Sequence, residues 1–319
     1  MKLLKYLRLR DTKGVGEATI KKIINAFGSI EKIEEKKLEQ LLGSVKAERI
    51  LLSLSSERSY EEKLLKSLER GLKFITLEDE NYPKLLREIK DPPAVIFYAG
   101  EKPFSGIGVV GTRKPSDISL KFVERVIEEE KRPVVSGGAK GVDITAHETA
   151  LNLGLPTTVV LGYGIFKTER RLRNLLDRGS VSLVSEFLPW VEGSKYTFPK
   201  RNRIIAGLSE RIYIAEAGER SGALITAHYG YLYRRRVIAF VGNENSERWK
   251  GCLELIKGGK ADRYEEREEV GILSFLREPK TFDEITSFLG KDIKTVTSII
   301  TRLIVEGKVI QEGAYYRAL

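Results

Sequence analysis

The chain has 319 residues, 41% of them hydrophobic, with 55 Lys and Arg against 45 Asp and Glu for a net charge of +10. That apolar fraction suits cored domains rather than a disordered chain, and the length allows two or three of them. One cysteine (Cys252) excludes an internal disulfide, two histidines leave no zinc ligand set, and no apolar run reaches the roughly 18 residues of a membrane helix.

The opening MKLLKYLRLRD is too charged for a signal peptide, so a cytoplasmic protein with no metal, no cofactor and no membrane contact is expected. Gln (Gln40, Gln311), Met and Cys are scarce beside 31% charged residues, a pattern that favours durability at high temperature. Residues 1–70 hold 16 basic and 11 acidic residues, residues 71–263 hold 31 and 24, and residues 264–319 hold 8 and 10. The basic excess lies in the first two segments, where it suits either nucleic acid or a well-solvated surface.

Residues 1–70 read as helical. In LRLRDTKGVGEATIKKIINAF, apolar residues at helical spacing flank Gly14-Val15-Gly16, with Ala18, Ile20 and Ile23 continuing the core face of the second helix. This is a helix-hairpin-helix pattern, in which the glycines let the backbone approach a phosphate and Lys13, Lys21 and Lys22 reach the same strand. A weaker second copy follows at Leu41 to Val45, and a small helical cap with ordinary glycine turns is the alternative for both.

Residues 71–263 alternate β-branched runs with helical stretches. Candidate strands are IGVVG (107–111), PVVSG (133–137), TTVVLG (157–162), VSLVSE (181–186), RIYIAEA (211–217) and VIAFVG (237–242), which predicts an α/β fold with a Rossmann-like, doubly wound, mostly parallel sheet. Such sheets bind ligands at the carboxyl ends of their strands, where backbone N–H groups at helix N-termini meet oxyanions. Three stretches fall there: GVVGTRKPS with Gly111, Thr112 and Arg113; SGGAKGVDITAH with Ser136, Gly137 and Gly138; and FPKRNRIIAGL with the following EAGERSGALITAH, which carries Ser221 and Gly222.

Arg113 offers a planar fork for a phosphate, and Lys195 with Phe198 offers a charge beside a ring on which a base can stack. Arg201 and Arg203 are expected to line the same groove, with Asn202 capping the helix RIIAGL or accepting from the Gly111 loop. Asp143 and His147, one helical turn apart, could serve as an acid/base pair but are expected mainly as a hydrogen-bonded pair that orients the SGGAKG loop, with a comparable role for His228 in its own TAH context. No Ser-His-Asp set and no GK[ST] loop is present, so catalysis is not demanded.

Residues 264–319 carry EEVGILSFL, FDEITSFLG and IKTVTSIITRLIVEGKV as three helices of increasing length, then two β-prone pieces, GKVIQE and AYYRAL. This is a winged helix pattern with Asp292 to Glu306 as its would-be recognition helix. Its acidic balance favours a protein contact or self-association over duplex readout.

From Leu72 to Ala261 the chain resembles the DprA/Smf family of DNA processing proteins. The resemblance rests on Asn81-Tyr82-Pro83, Asp91-Pro92-Pro93, Gly100, Gly111-Thr112-Arg113, Ser136-Gly137-Gly138, Gly141, Asp143, His147 and Gly162. It continues through Ser185-Glu186, Phe198-Pro199, Arg201-Asn202-Arg203, Ala206-Gly207-Leu208, Glu216-Ala217, Ser221-Gly222 and Thr226-Ala227. The chain departs from the family where IFKTER follows Gly164 in place of a tyrosine-proline pair, at Val241-Gly242, and at Cys252-Leu253 after Gly251.

The resemblance implies a non-enzymatic protein that binds and protects single-stranded DNA, with a Lys and a Phe in the 195–198 stretch helping to hold it. It further implies loading of RecA in natural transformation or recombination, and pairing into a homodimer. The alternative is a nucleotide-binding or nucleotide-hydrolysing enzyme on the same sheet, with Glu186 or Glu216 as its carboxylate.

Overall fold

Five α-helices precede the first strand in the computed structural model, which describes residues 1–264 and 268–319, with side chains for 1–264 and 271–319. They are α1 (Lys2–Arg10), α2 (Glu17–Phe27), α3 (Glu35–Leu42), α4 (Ser44–Ser55) and α5 (Glu61–Glu69). The turn between α1 and α2 passes through Gly14 at φ 81°, a left-handed conformation that costs a glycine nothing, and Arg49 of α4 braces it by donating to the Lys13 carbonyl at 3.1 Å. Leu3, Leu7, Ile20 and Ile50 from these helices belong to the same apolar cluster as Ile75, Phe97 and Val184 from the sheet beneath. Helices and sheet therefore share one core, within a unit that spans Met1–Arg263.

The sheet has nine strands: β1 (Lys73–Thr76), β2 (Val95–Gly100), β3 (Gly106–Val110), β4 (Val134–Ser136), β5 (Thr157–Val160), β6 (Val181–Ser185), β7 (Ser209–Ile214), β8 (Arg236–Ala239) and β9 (Asp262–Arg263). Their spatial order is β1-β2-β6-β5-β4-β3-β7-β8-β9. From β6 to β9 every pairing is parallel, while β2 runs antiparallel to β6 and β1 antiparallel to β2. All six β-branched runs marked in the sequence are strands of the parallel part.

Those inner strands are buried along their whole length in β3, β4, β5 and β6, as expected where helices cover both faces. The helices are α6 (Lys84–Glu88), α7 (Asp117–Glu130), α8 (Val142–Asn152), α9 (Arg170–Arg173), α10 (Thr197–Leu208), α11 (Ala223–Leu232) and α12 (Lys250–Lys257). α7 packs beside α8, and α10 beside α11. From β3 the chain winds outward through β4, β5 and β6, then returns to the other side of β3 as β7. The winding reverses between β3 and β7, so the loops after those two strands diverge and leave a crevice.

Tyr264–Leu319 form the second unit. It contains α13 (Glu268–Phe275), β10 (Lys280–Thr281), α14 (Phe282–Leu289), α15 (Ile293–Val305), β11 (Val309–Glu312) and β12 (Tyr315–Ala318), the strands forming an antiparallel sheet in the order β10-β12-β11. Ile272, Leu276, Ile285, Val296, Ile300 and Leu303 close its core. A capping box, Thr281 with Glu284, starts α14, and Asp292 caps α15 through the Thr295 N–H at 3.0 Å. Among the described residues α13 and α14 each have eight residues and α15 has 13.

Candidate nucleic-acid interface

A cavity of about 730 Å³ opens where the winding reverses, lined by Gly111, Thr112 and Arg113 after β3, by Ser221 and Gly222 after β7, and by Lys195, Phe198, Arg201 and Asn202 from α10 and the loop before it. Lys114 and Arg220 line it too, and both are exposed like Arg113 and Lys195. The wall thus presents basic side chains beside the turn at the head of α11, where the Ala223 N–H donates to the Ser221 hydroxyl at 3.3 Å and the Leu224 N–H to the Ser221 carbonyl at 3.1 Å.

Phe198 is half-buried and closely held. A Cβ on Gly162 would come within 2.5 Å of its Cδ1, and one on Gly193 within 2.8 Å of its Cζ, so two glycines let the ring lie against main chain. Tyr163 meets it edge-on with centroids 6.3 Å apart. Lys195 Nζ sits 5.1 Å from the ring centre of Tyr196, whose side chain is 74% exposed. Tyr163, Tyr196, Lys114 and Arg220 were not marked by the sequence patterns, although all four lie in or beside the three glycine-bearing stretches or at the end of β5.

Of the second stretch, Ala139 and Asp143 line this cavity, but Ser136, Gly137 and Gly138 do not. Ser136 is buried, its hydroxyl donating to the Val109 carbonyl at 2.5 Å. Gly137 lies beneath the floor, where a Cβ would stand 2.4 Å from Asp143 Oδ2 and 2.6 Å from Arg201 Nη1. Gly138 faces a neighbouring cavity of about 420 Å³.

Arg203 is a correction to the expected groove. It is buried, with Nη2 donating to Glu186 Oε2 at 2.6 Å and Nη1 to the Asp91 carbonyl at 2.7 Å. Residues two apart on a helix point to nearly opposite sides, so Arg201 and Arg203 cannot share a face of α10. Asn202 is also placed differently: α10 already begins at Thr197, and the Asn202 amide donates to the Gly222 carbonyl at 3.1 Å, tying α10 to the loop after β7.

Beneath the rim, Arg201 donates through Nη1 to the Val160 carbonyl and through Nε to Asn202 Oδ1 at 3.1 Å. Burial raises the Asp143 carboxyl above its ordinary range, and the Arg201 charge opposes that rise. Asp143 accepts from the Ala139 N–H at 3.4 Å, while His147 meets the Gly137 carbonyl with Nε2 at 3.0 Å and Thr157 Oγ1 with Nδ1 at 2.7 Å. Both ring nitrogens of His147 are thus taken by Thr157 and Gly137, so in place of the expected Asp143–His147 hydrogen bond each side chain holds the SGGAKG loop through its own partners. His228 does not repeat this: it is exposed, its ring beside Tyr229.

Burial lowers the His147 pKa to about 4 from 6.5, so the folded state keeps the ring neutral. A depressed histidine pKa means that the unfolded chain binds the extra proton first. The resulting stability is complete above pH 6.5 and is lost as pH falls toward about 4, roughly 3 kcal/mol in all. Asp143 and Glu17, both raised by burial, contribute with the opposite sign over the acid range. The His147 part is read by difference: between about pH 7 and pH 4.5 the parent should lose clearly more stability in urea unfolding than His147→Gln, and parallel losses would show that the ring is not buried neutral.

The two carboxylates that could serve nucleotide chemistry lie outside the cavity lining. Glu216 is buried and accepts from the Ser116 N–H at 2.9 Å, from the Ser116 and Ser119 hydroxyls at 2.7 Å each, and from Arg248 at 2.8 Å. Burial alone would raise its pKa, but these donors hold it below the usual range. Glu186 is paired with Arg203 at 2.6 Å.

In the helical region, Lys21 and Lys22 depart from the expected strand contact. The Lys21 ammonium donates to the Glu88 and Ile89 carbonyls at 3.1 and 2.7 Å, and that of Lys22 to the Leu41 carbonyl at 3.1 Å. Lys13 is exposed beside Gly14.

A family model described as DNA recombination-mediator protein A matches residues 73–274. Protein Smf of Synechocystis sp. is 30% identical over 281 residues, 80% of this chain and 68% of that protein. The DNA processing protein DprA of Streptococcus pneumoniae is 40% identical over 190 residues, 57% of this chain and 67% of that protein. The X-ray structure of DprA from Streptococcus pneumoniae superposes with a TM-score of 0.69 at 30% identity, covering 83% of this chain and 95% of that one. DNA processing protein A from Helicobacter pylori, whose structure is described for its single-stranded DNA binding mode, superposes at 0.51 with 26% identity, covering 60% of this chain and 91% of that one. Among the described residues, no helix is long and apolar enough to cross a membrane. With the family model spanning well over half of its length and the same mostly parallel α/β sheet in its solved relatives, the chain belongs to the DprA/Smf family of DNA processing and recombination proteins.

Proposed function

We propose that the chain binds single-stranded DNA in the crevice between β3 and β7 without regard to sequence, protects it, and passes it to a RecA-family recombinase. The carrying observation is that one cavity gathers Arg113 and Lys195, two exposed cations, with the ring of Phe198 and the backbone at the head of α11. Phosphates take the cations and backbone N–H groups, while a base stacks on the ring, a contact that any base can make. The work is binding and not turnover, in DNA uptake for natural transformation or in recombination, by a cytoplasmic homodimer; these last points rest on the family resemblance.

The outer parts take supporting roles in this proposal. Residues 1–70 act as a helix-hairpin-helix module, in which Gly14 and the exposed Lys13 meet a phosphate while Lys21 and Lys22 serve the fold. Residues 71–263 form the Rossmann-like DNA-binding domain. Residues 264–319 form a winged helix whose α15 exposes Ile293, Thr297, Ile304 and Val305, a face suited to another protein rather than to a duplex.

Salt titration with an oligonucleotide tests the crevice. Arg113→Ala and Lys195→Ala should each weaken binding at low salt and reduce the slope of log affinity against log salt by roughly 0.7, the value for one neutralised phosphate on a single strand. Phe198→Ala should cost about 1–3 kcal/mol of affinity with the slope unchanged, because stacking releases no counterions. Three folded variants that bind like the parent would put the DNA elsewhere.

A further inference from the structure

The face of α11 that lines the crevice continues beyond it. Ile225 and Thr226 border the cavity of about 730 Å³, and Tyr229, Leu232 and Tyr233, further along the helix, border a second cavity of about 540 Å³. Residues three and four apart share a helix face, so one stripe joins the two cavities, and the ten residues of α11 set its ends roughly 15 Å apart. The second cavity holds an aromatic pair. The rings of Tyr229 and Tyr233 stack with centroids 5.7 Å apart, and the Tyr233 hydroxyl pins its ring by donating to Asp91 Oδ1 at 2.9 Å. The acids of the lining are already engaged, Asp91 by Tyr233 and by Arg203 at 3.5 Å, and Glu88 by Arg235 at 3.3 Å. Lys90 and Arg234 are exposed there, with neither an ion pair nor a side-chain hydrogen bond among the described residues. Arg234 stands at φ 57° just past the Tyr233 cap, a left-handed position that suits glycine better, so a cation is kept where the backbone favours none.

We propose that this cavity is a second landing for the same single strand, with a base on the Tyr229 and Tyr233 pair and phosphates on Lys90 and Arg234. This rests on the crevice holding single-stranded DNA and extends its track along α11. Charge and shape together choose the occupant. With the acids paired inside the protein, the free charges at the cavity are two cations, which complement a polyanion, and aromatic rings beside cations are the combination that holds an unpaired strand. A duplex keeps its bases stacked on one another and has none to offer the rings. An apolar protein surface would cover both cations without giving either an acceptor. Stacking on tyrosine accepts any base, so the second landing adds a preference for length and none for sequence. A strand that bridges both cavities gains affinity because its second contact is made within one complex.

The test is fluorescence anisotropy with an oligothymidylate of about twelve nucleotides, within the range of single-strand site sizes, and with a trithymidylate too short to occupy both cavities. Tyr229→Ala should weaken the long oligomer roughly five- to tenfold, the lower part of the range for one stacked base, with the slope of log affinity against log salt unchanged. Arg234→Gly should weaken it at low salt and reduce that slope by roughly 0.7. Because glycine fits φ 57°, the second variant should melt no lower than the parent, which separates lost binding from lost folding. Both variants should bind the trithymidylate like the parent. Parent-like binding of the long oligomer by both variants, or equal losses for the two oligomers, would overturn the second landing and leave the crevice proposal standing. So would variants that keep DNA affinity but no longer pass the strand to a recombinase, since the cavity would then meet a protein. Failure of the parent to bind the long oligomer would overturn the crevice proposal itself.

Discussion

Arg203→Ala should destabilise the Met1–Arg263 unit by about 3–5 kcal/mol, the cost of leaving a buried charge without its partner. Arg203 is buried between Glu186, at 2.6 Å, and Asp91, at 3.5 Å, and its charge also reaches the buried Glu17, whose carboxylate accepts from the Ala94 N–H at 2.8 Å. Without it, Glu17 and Glu186 face each other with the half-exposed Lys200, 3.2 Å from Glu186, and Arg10, which donates to the Glu186 carbonyl at 2.8 Å, as neighbouring cations. Thermal unfolding should fall by roughly 10 °C. The deficit should shrink as pH drops, since Glu17, whose carboxyl pKa burial already raises, can then take a proton, and Arg203→Ala with Glu186→Gln should recover part of it. A variant as stable as the parent at neutral pH would mean that this cluster is open to water.

Gly137→Ala should be the most damaging single methyl in the rim. Its Cβ would stand 2.4 Å from Asp143 Oδ2 and 2.6 and 2.7 Å from the two terminal nitrogens of Arg201, all held by buried partners. Making room separates a buried Asp from its buried Arg, which overpacks the floor and weakens an ion pair at once, at about 2–4 kcal/mol. Because Arg201 and Asn202 form that floor, DNA affinity should drop by at least about tenfold. Gly222→Ala is the contrast: at φ −61° nothing lies within 4 Å of the added Cβ, so the fold should keep its stability. Loss of DNA binding in that variant would then report the strand's own approach to the loop. Parent-like behaviour of Gly137→Ala would show that Arg201 does not brace the rim.

The parallel strands were legible because burial on both faces makes each a continuous β-branched run, and Gly111 to Arg113 were legible because a glycine turn with a cation directly follows one. β1 and β9 are short edge pieces without such a run. β2, although apolar, pairs antiparallel at both sides, outside the alternation of strand and helix that marks a parallel sheet. The basic triplet Arg201-Asn202-Arg203 misled because adjacency in sequence is not adjacency on a helix. The two TAH segments are alike locally, yet His147 is buried and His228 exposed, a difference set by what packs over each helix. Lys21 was read as free because its acceptor carbonyls, at Glu88 and Ile89, lie 67 and 68 residues along the chain.

The crevice exists only where β3 and β7 pair, Gly108 opposite Ile212, with three intervening strands laid down between them in the chain. A parallel contact across so long a loop is slow to close, because its entropy is lost before the pairing repays it. A nascent chain could order β3 to β6 early and still have only one lip of the crevice, the second arriving with the segment from Ser209 to Gly222. Capture of a strand thus reports completion of the sheet, and refolding followed by oligonucleotide binding should lag behind refolding followed by helical signal.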